Sequence, residues 1–297
     1  MEQISILLFY KYTYIKNPVL FRAENLLLCK QLGIKGRILI AHEGINGSIS
    51  GSKEQTEKYK KLLRKDSRLS DIKFKEDLGL QHPFKKMIIK IKKEIVNFGK
   101  NVDLRRTGEY LSPAEFLDLY KDENKIGKEI IILDARNNYE SKIGKFKGAI
   151  TPDIETFREF SKIAEQLKDK KDKKIVMYCT GGIRCEKATA YFKEQGFKDV
   201  AQLEGGILTF AKEFQDTIWE GSCFVFDKRL KSNVNSKESP ITKCELCDVP
   251  CDLYKNCRNK ICDKYTIICI PCGQKYGYCC SPTCFKSFQA VRLKEKN

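Results

Sequence analysis

The chain has 297 residues, 41% of them hydrophobic and 32% charged, with a formal net charge of +17 and 14 cysteines. That length allows two or three domains with sizeable cores. No apolar run reaches the roughly 18–20 residues that cross a bilayer, and the start lacks the basic and small-residue parts of an export signal, so a cytoplasmic protein working away from membranes is expected.

Residues 4–100 read as strand, helix, strand, strand, helix, strand. Ile4 to Tyr10 is an apolar strand, and Pro18 opens a helix that Gly33 stops. Arg37 to Ala41 and Ile45 to Ser50 are strands, Lys53 to Lys65 is a helix, and Lys86 to Val96 alternates as a half-exposed strand. The βαββαβ order predicts a ferredoxin-like α+β domain over residues 1–100. Between its middle strands lies His42-Glu43-Gly44-Ile45-Asn46-Gly47. His42, Glu43 and Asn46 either face a substrate or decorate a plain turn. Asn97 to Thr107 reads as a linker in which Arg105 and Arg106 either touch phosphate or are solvated.

Residues 108–220 alternate strand and helix, which predicts an α/β domain with a parallel sheet covered on both faces. Ser112-Pro113 opens a helix, and Ile130 to Leu133 is a buried strand ending in Asp134-Ala135-Arg136. Asp134 and Arg136 either orient the reactive loop or pair to hold a turn, the second being favoured. Ile175 to Tyr178 is the next buried strand, and a helix is predicted from Glu186 to Gln195, closed by Gly196. Between them runs Cys179-Thr180-Gly181-Gly182-Ile183-Arg184. Two glycines can turn successive N–H groups into one concavity, and the helix behind adds its positive end. A thiolate or persulfide at Cys179 is solvated there by backbone donors, with Arg184 a fixed cation beyond the loop, so the thiol pKa is expected well below the free value of about 8.5. Cys185 is either a resolving thiol or a small core residue.

The tail, residues 221–297, begins with a polar linker over Lys231 to Pro240 and then holds ten cysteines between Cys244 and Cys284. Two Cys-x2-Cys pairs separated by 21 residues resemble a zinc ribbon. Cys244, Cys247, Cys269 and Cys272 form one candidate tetrahedral site, and Cys257, Cys262, Cys280 and Cys284 a second. Zinc is the expected metal, though four thiolates also suit an iron–sulfur cluster. Charge is uneven: 21 Lys/Arg face 10 Asp/Glu over residues 1–100, 21 face 22 over 101–220, and 14 face 7 over 221–297. A neutral reactive domain between two basic flanks suits a polyanion gripped from both sides.

The loop of a Cys, four residues and an Arg resembles that of the rhodanese family, in which the Cys carries a persulfide. Arsenate reductases and cell-cycle phosphatases on the same fold have five intervening residues, a wider cradle for an oxyanion. The resemblance then widens through Glu43-Gly44-Ile45-Asn46-Gly47, Asp134-Ala135-Arg136-Asn137 with Tyr139-Glu140, Gly148-Ala149-Ile150, Pro152-Asp153, Thr156-Phe157-Arg158-Glu159-Phe160 and the Cys-rich tail. These stretches are similar to the rhodanese-domain tRNA uridine(34) hydroxylases over nearly the whole chain. The resemblance implies a tRNA-modifying oxidoreductase that converts the wobble uridine of the anticodon loop to 5-hydroxyuridine. Molecular oxygen would be co-substrate, with an electron donor outside the visible motifs, and Cys179 would be the essential residue. DNA is not an expected partner. The rival is a rhodanese-type sulfurtransferase or persulfide carrier acting on tRNA or a protein partner.

Overall fold

The computed structural model describes residues 3–122, 125, 126, 128–232, 234–236 and 239–294. The expected linker over 231–240 lies partly outside them. Strands β1 (Ile4–Tyr12), β2 (Lys35–Ala41), β3 (Gly44–Ser52), β4 (Phe74–Gly79) and β5 (Met87–Ile91) form one sheet in the order β4-β1-β3-β2-β5. Helices α1 (Pro18–Gln31) and α2 (Lys53–Leu63) join them. Asn17 caps α1 through its side chain, and Ser52 with Gln55 forms a capping box on α2. The period of two sends Leu7, Phe9, Ile38, Ile40, Ile45 and Ile49 into one core with Tyr59 and Cys29.

The sheet is ferredoxin-like, with one correction to the strand count. The last strand of the βαββαβ unit is β4, and the segment read as that strand is instead β5, shorter than Lys86 to Val96 and added parallel to β2 at the far edge. The reason is visible in FKEDLG: an edge strand whose side chains are at most half-buried carries no apolar alternation to read.

The second unit has a four-stranded parallel sheet, β6 (Glu109–Leu111), β10 (Asp199–Leu203), β9 (Lys174–Tyr178) and β7 (Ile130–Asp134), in that order. Along β9, Ile175 and Met177 enter one core while Val176 and Tyr178 enter the other, so both faces are dry. Helices α3 (Pro113–Asp118), α4 (Asn138–Ser141), α5 (Ser161–Gln166), α6 (Ile183–Glu194) and α7 (Gly206–Glu213) cover it. Strand β8 (Gly144–Phe146) pairs with β11 (Trp219–Gly221), which leads into the tail. There β12 (Cys223–Phe224) pairs with β13 (Lys231–Ser232), and β14 (Tyr254–Asn256) with β15 (Tyr265–Ile267). Helices α8 (Ile270–Lys275) and α9 (Pro282–Lys294) follow. No helix among the described residues is long and apolar enough to cross a membrane.

Helix α6 begins at Ile183, three residues earlier than the periodicity of its apolar positions predicts. Gly182, at φ +97°, makes the turn that starts it there. Arg184 and Cys185 therefore sit in the first helical turn. From the same helix Lys187, 3% exposed, bridges Glu43 and Glu94, each at 2.8 Å. Glu43 also accepts from the Ile95 N–H at 2.7 Å, and Asn46 donates to the Ile95 carbonyl at 2.9 Å. These contacts bolt the first sheet onto α6.

Replacing Lys187 with Met leaves two carboxylates facing each other without a cation. The expected cost is about 2–3 kcal/mol, below the fully buried range because both carboxylates keep some water. A lowered urea midpoint would report it, and an unchanged midpoint would show that the triad does not couple the two units.

Candidate active site

Cys179 lies at the end of β9 with no exposed surface. Its Sγ accepts the Gly182 N–H at 3.1 Å. Burial pushes the thiol pKa up, but a hydrogen bond from the Cys185 thiol, the Arg184 charge and the N–H groups of Arg184 and Gly182 outweigh it, bringing the pKa down to about 5. Cys185 moves the opposite way: burial and the neighbouring Cys179 anion raise it, so it stays a protonated donor. Of the two readings of Cys185, this geometry favours a buried support over a free resolving thiol.

Arg184 does not stand free beyond the loop as its place in the motif suggests. It forms a two-pronged ion pair with Glu140, at 2.5 and 2.8 Å, both side chains buried. Glu140 sits on α4, where its carboxylate also accepts the Asn137 N–H at 3.2 Å. Its carboxylate fixes the guanidinium in place, so the charge beside Cys179 is positioned by a partner 44 residues away. Asp134 and Arg136 form a second buried pair at 2.6 Å, and Arg136 also donates to the Gly144 carbonyl at 2.6 Å. That contact secures β8 and matches the structural reading of the pair.

The first sheet covers the loop. Leu8 on β1 packs so closely on Gly181 that a Cβ there would sit 2.8 Å from its Cδ2. Two residues on, the Tyr10 hydroxyl donates to Glu186 at 2.9 Å, and Tyr110 donates to the same carboxylate at 2.7 Å. Tyr12 reaches the Ile183 carbonyl at 3.3 Å. On the other side, the N–H groups of Ile207 and Leu208 donate to the carbonyls of Cys179 and Thr180, at 3.0 and 3.1 Å. The loop is thus pinned from both flanks.

Between the loop and the sheet opens a cavity of about 770 Å³. Cys179, Thr180, Gly181, Ile183 and Arg184 line it, together with Asn46. Of the other candidate contacts, His42 bonds the Ile15 carbonyl at 3.0 Å, Glu43 holds Lys187, Arg105 pairs with Asp103 at 2.9 Å and Arg106 is exposed. None of these four lines the cavity. Residues that sequence reasoning did not single out do so: Leu8, Tyr10, Arg37 and Lys75 from the sheet, and Phe226 and Arg229 from the tail. Lys75 lies with its ammonium 5.3 Å from the Tyr10 ring centre. Burial pulls its pKa down to about 8, the Cys179 anion opposing. The period of two along β1 and β4 was the available signal for these side chains, since Ile6, Leu8 and Tyr10 alternate with the core positions Leu7 and Phe9.

In the tail the sulfurs of Cys244, Cys247, Cys269 and Cys272 lie within 4.8 Å of one another, and so do those of Cys257, Cys262, Cys280 and Cys284. Cys247 and Cys269 are 3.6 Å apart, Cys257 and Cys284 3.4 Å, and Cys262 and Cys280 3.6 Å. Thiolates around a tetrahedral zinc stand about 3.8 Å apart, given Zn–S bonds of about 2.3 Å. Each set can therefore hold a metal ion. Cys251 and Cys279 are buried outside both sets. The tail docks on α4 through Tyr139, which stacks on Tyr265 with centroids 4.8 Å apart and planes 13° apart.

Comparison with known families gives three adjacent matches. Residues 4–95 match the UPF0176 acylphosphatase like domain, residues 112–213 the rhodanese-like domain, and residues 220–285 the rhodanase C-terminal domain. A Bacillus pumilus protein called tRNA uridine(34) hydroxylase is 42% identical over 306 residues, spanning 100% of this chain and 92% of its own length. Proteins of the same name from Bacillus licheniformis and Streptococcus pyogenes are 44% identical over 304 residues and 43% over 308. They cover 99% and 100% of this chain and 92% of their own.

The depressed thiol gives a direct test. Because the anion is the reactive form, alkylation of Cys179 should rise through a pH of about 5 and be level by neutrality. Peptide mapping with iodoacetamide isolates this cysteine from the other thiols. Cys185→Ala removes one donor and should move the inflection upward. An inflection near 8.5 in the parent protein would contradict the geometry.

Proposed function

The chain belongs to the tRNA uridine(34) hydroxylase family, and from that footing we propose that it hydroxylates C5 of uridine 34 in tRNA with the Cys179 anion as its reactive group. The observation that carries this reading is a cysteine sulfur that accepts a loop N–H beside a fixed arginine, at the floor of a cavity large enough for a nucleotide. A wobble uridine is unpaired, so it can turn out of the anticodon loop without breaking a duplex. Phe226, 57% exposed at the cavity wall and 5.7 Å above the Arg184 guanidinium, offers a ring face on which a base can stack.

The proposed chemistry begins with a bond from Cys179 Sγ to C6 of the uracil. The C5–C6 π pair moves onto C5 and O4, making C5 a nucleophile towards oxygen. One atom of molecular oxygen joins C5 as hydroxyl, beside the hydrogen already there. Two electrons and two protons from an external donor carry the other atom away as water. Loss of the C5 proton and expulsion of the thiolate then restore the C5–C6 double bond, and Arg184 with the loop N–H groups receives the returning charge. A cytoplasmic location goes with such a substrate.

The two thiolate sets suit zinc, which would be structural. All four donors of each are protein sulfurs, with none left open for water. Bound metal would fix the tail's short strands and so the wall that carries Phe226.

A second reading keeps a specific observation in its favour: the four-residue gap between Cys179 and Arg184 is the rhodanese spacing, which suits a persulfide. Incubating the full-length protein with unmodified tRNA under ¹⁸O-labelled oxygen, then under nitrogen, separates the two. The expected product is a uridine heavier by one labelled oxygen, absent under nitrogen and absent with Cys179→Ala. A uridine carrying sulfur instead would transfer the case to the sulfurtransferase reading. Metal analysis should return zinc filling both sets, and Cys244→Ser with Cys269→Ser should remove about half of it. Iron with acid-labile sulfide would exclude the zinc assignment.

A further inference from the structure

The open face of the first sheet has a feature the chemistry above does not use. Strand register puts Lys75 opposite Leu8, Leu8 opposite Ser48, Ser48 opposite Arg37, and Arg37 opposite Ile88. These residues form one row across all five strands, on the face turned away from the helices. Leu8, in that row, is the residue that touches Gly181 of the reactive loop. Lys75, Ser48 and Arg37 all line the cavity.

The charges lining the cavity are otherwise spoken for. Arg184 is paired with Glu140, Arg229 with Asp227 and Asp77, and Lys212 bonds the Glu76 carbonyl. Glu76 is taken by Lys53 and Lys60. Among the described residues, Lys75 and Arg37 are the cavity-lining cations with neither a carboxylate within salt-bridge reach nor a hydrogen-bonded carbonyl, Lys212 being held by the Glu76 carbonyl. Lys75 is half-buried and Arg37 exposed. A half-buried ammonium whose nearest partner is the face of the Tyr10 ring costs stability unless something anionic comes to it. The two stand three strand spacings apart, about 14 Å at the backbone, with the polar Ser48 between them.

We propose that Lys75 and Arg37 hold phosphodiester groups on either side of the uridine presented to Cys179, so that the RNA strand runs across the open sheet face. The inference rests on the tRNA reading above and names the surface that reading leaves open. Ser48 and Asn46 face the ribose between the two cations, and the base drops from the row towards the loop. Lys75 and Arg37 are binding residues here, and the bond-making step proceeds without them.

The test uses the full chain carrying Cys179→Ala, which binds without turnover, and unmodified tRNA followed by anisotropy over a range of salt. In that background Lys75→Met and Arg37→Met should each weaken binding about tenfold and flatten the plot of log affinity against log salt by about 0.7–1. Lys75→Arg should stay within about twofold, since it keeps the charge. Arg105→Met, which removes an exposed cation outside the cavity, should change neither quantity. In the active protein the two Met variants should raise KM and spare kcat. Unchanged affinity and slope in both, with unchanged thermal midpoints, would overturn the proposal and leave the hydroxylase reading standing. A parent protein that binds no tRNA at all would remove both together.

Discussion

A negative sulfur sunk into the floor of a cavity must be solvated largely by the protein, and most of the architecture around residue 179 answers that requirement. The sulfur receives a backbone N–H of Gly182, a thiol proton from Cys185 and the field of Arg184. None of these works unless it is held still. Gly182 is fixed by its left-handed turn into α6, and Arg184 by the Glu140 carboxylate on α4. A buried cation beside a buried anion carries a heavy desolvation cost, and the Glu140 pair offsets it while leaving Arg184 close enough to favour the thiolate. Glu140 therefore acts on the sulfur through Arg184, as a positioning residue.

The same constraint explains why the reactive unit is not self-sufficient. The loop is roofed by Leu8 and Tyr10 from another sheet, and one wall of the cavity comes from Phe226 and Arg229 in the tail. Lys187 and its two carboxylates lock the first contact, and the Tyr139–Tyr265 stack locks the second. Both anchors leave the central unit within a few residues of the groups that tune the sulfur: Lys187 lies one turn beyond Arg184, and Tyr139 precedes Glu140. Substrate access and thiol acidity are thus set by overlapping parts of the fold.

What could be read from the chain followed how local the cause was. The Cys179 loop, the buried strand before it and the ferredoxin-like start announce themselves in short windows, because turn residues and apolar periods act over a few positions. The eight tail cysteines grouped by spacing are the ones that the structure brings together in two sets. Strand β4 was hidden, since an edge strand of mixed charges lacks an apolar face. Glu140 was visible as a residue but not as the partner of Arg184, because that pairing depends on two helices, 44 residues apart at the contact, meeting beside the loop. His42 and Glu43 looked like site residues because they crowd a Gly-rich turn. The structure instead uses Glu43 to receive Lys187, while Asn46 in the same turn reaches the cavity. Lys75 had no local mark at all: its isolation from carboxylates is a property of the folded neighbourhood.

The order in which the walls occur along the chain has a consequence for synthesis. The roof over Cys179 is made first, Cys179 and its loop next, and the wall with Phe226 and Arg229 last. Domains emerging from a ribosome fold roughly in that order. A nascent chain that has completed the parallel sheet already owns an acidic thiol, yet lacks the wall that finishes its pocket. The tail, with its two thiolate sets, closes the pocket only after both other units have been made, so the acidic thiol precedes its finished pocket.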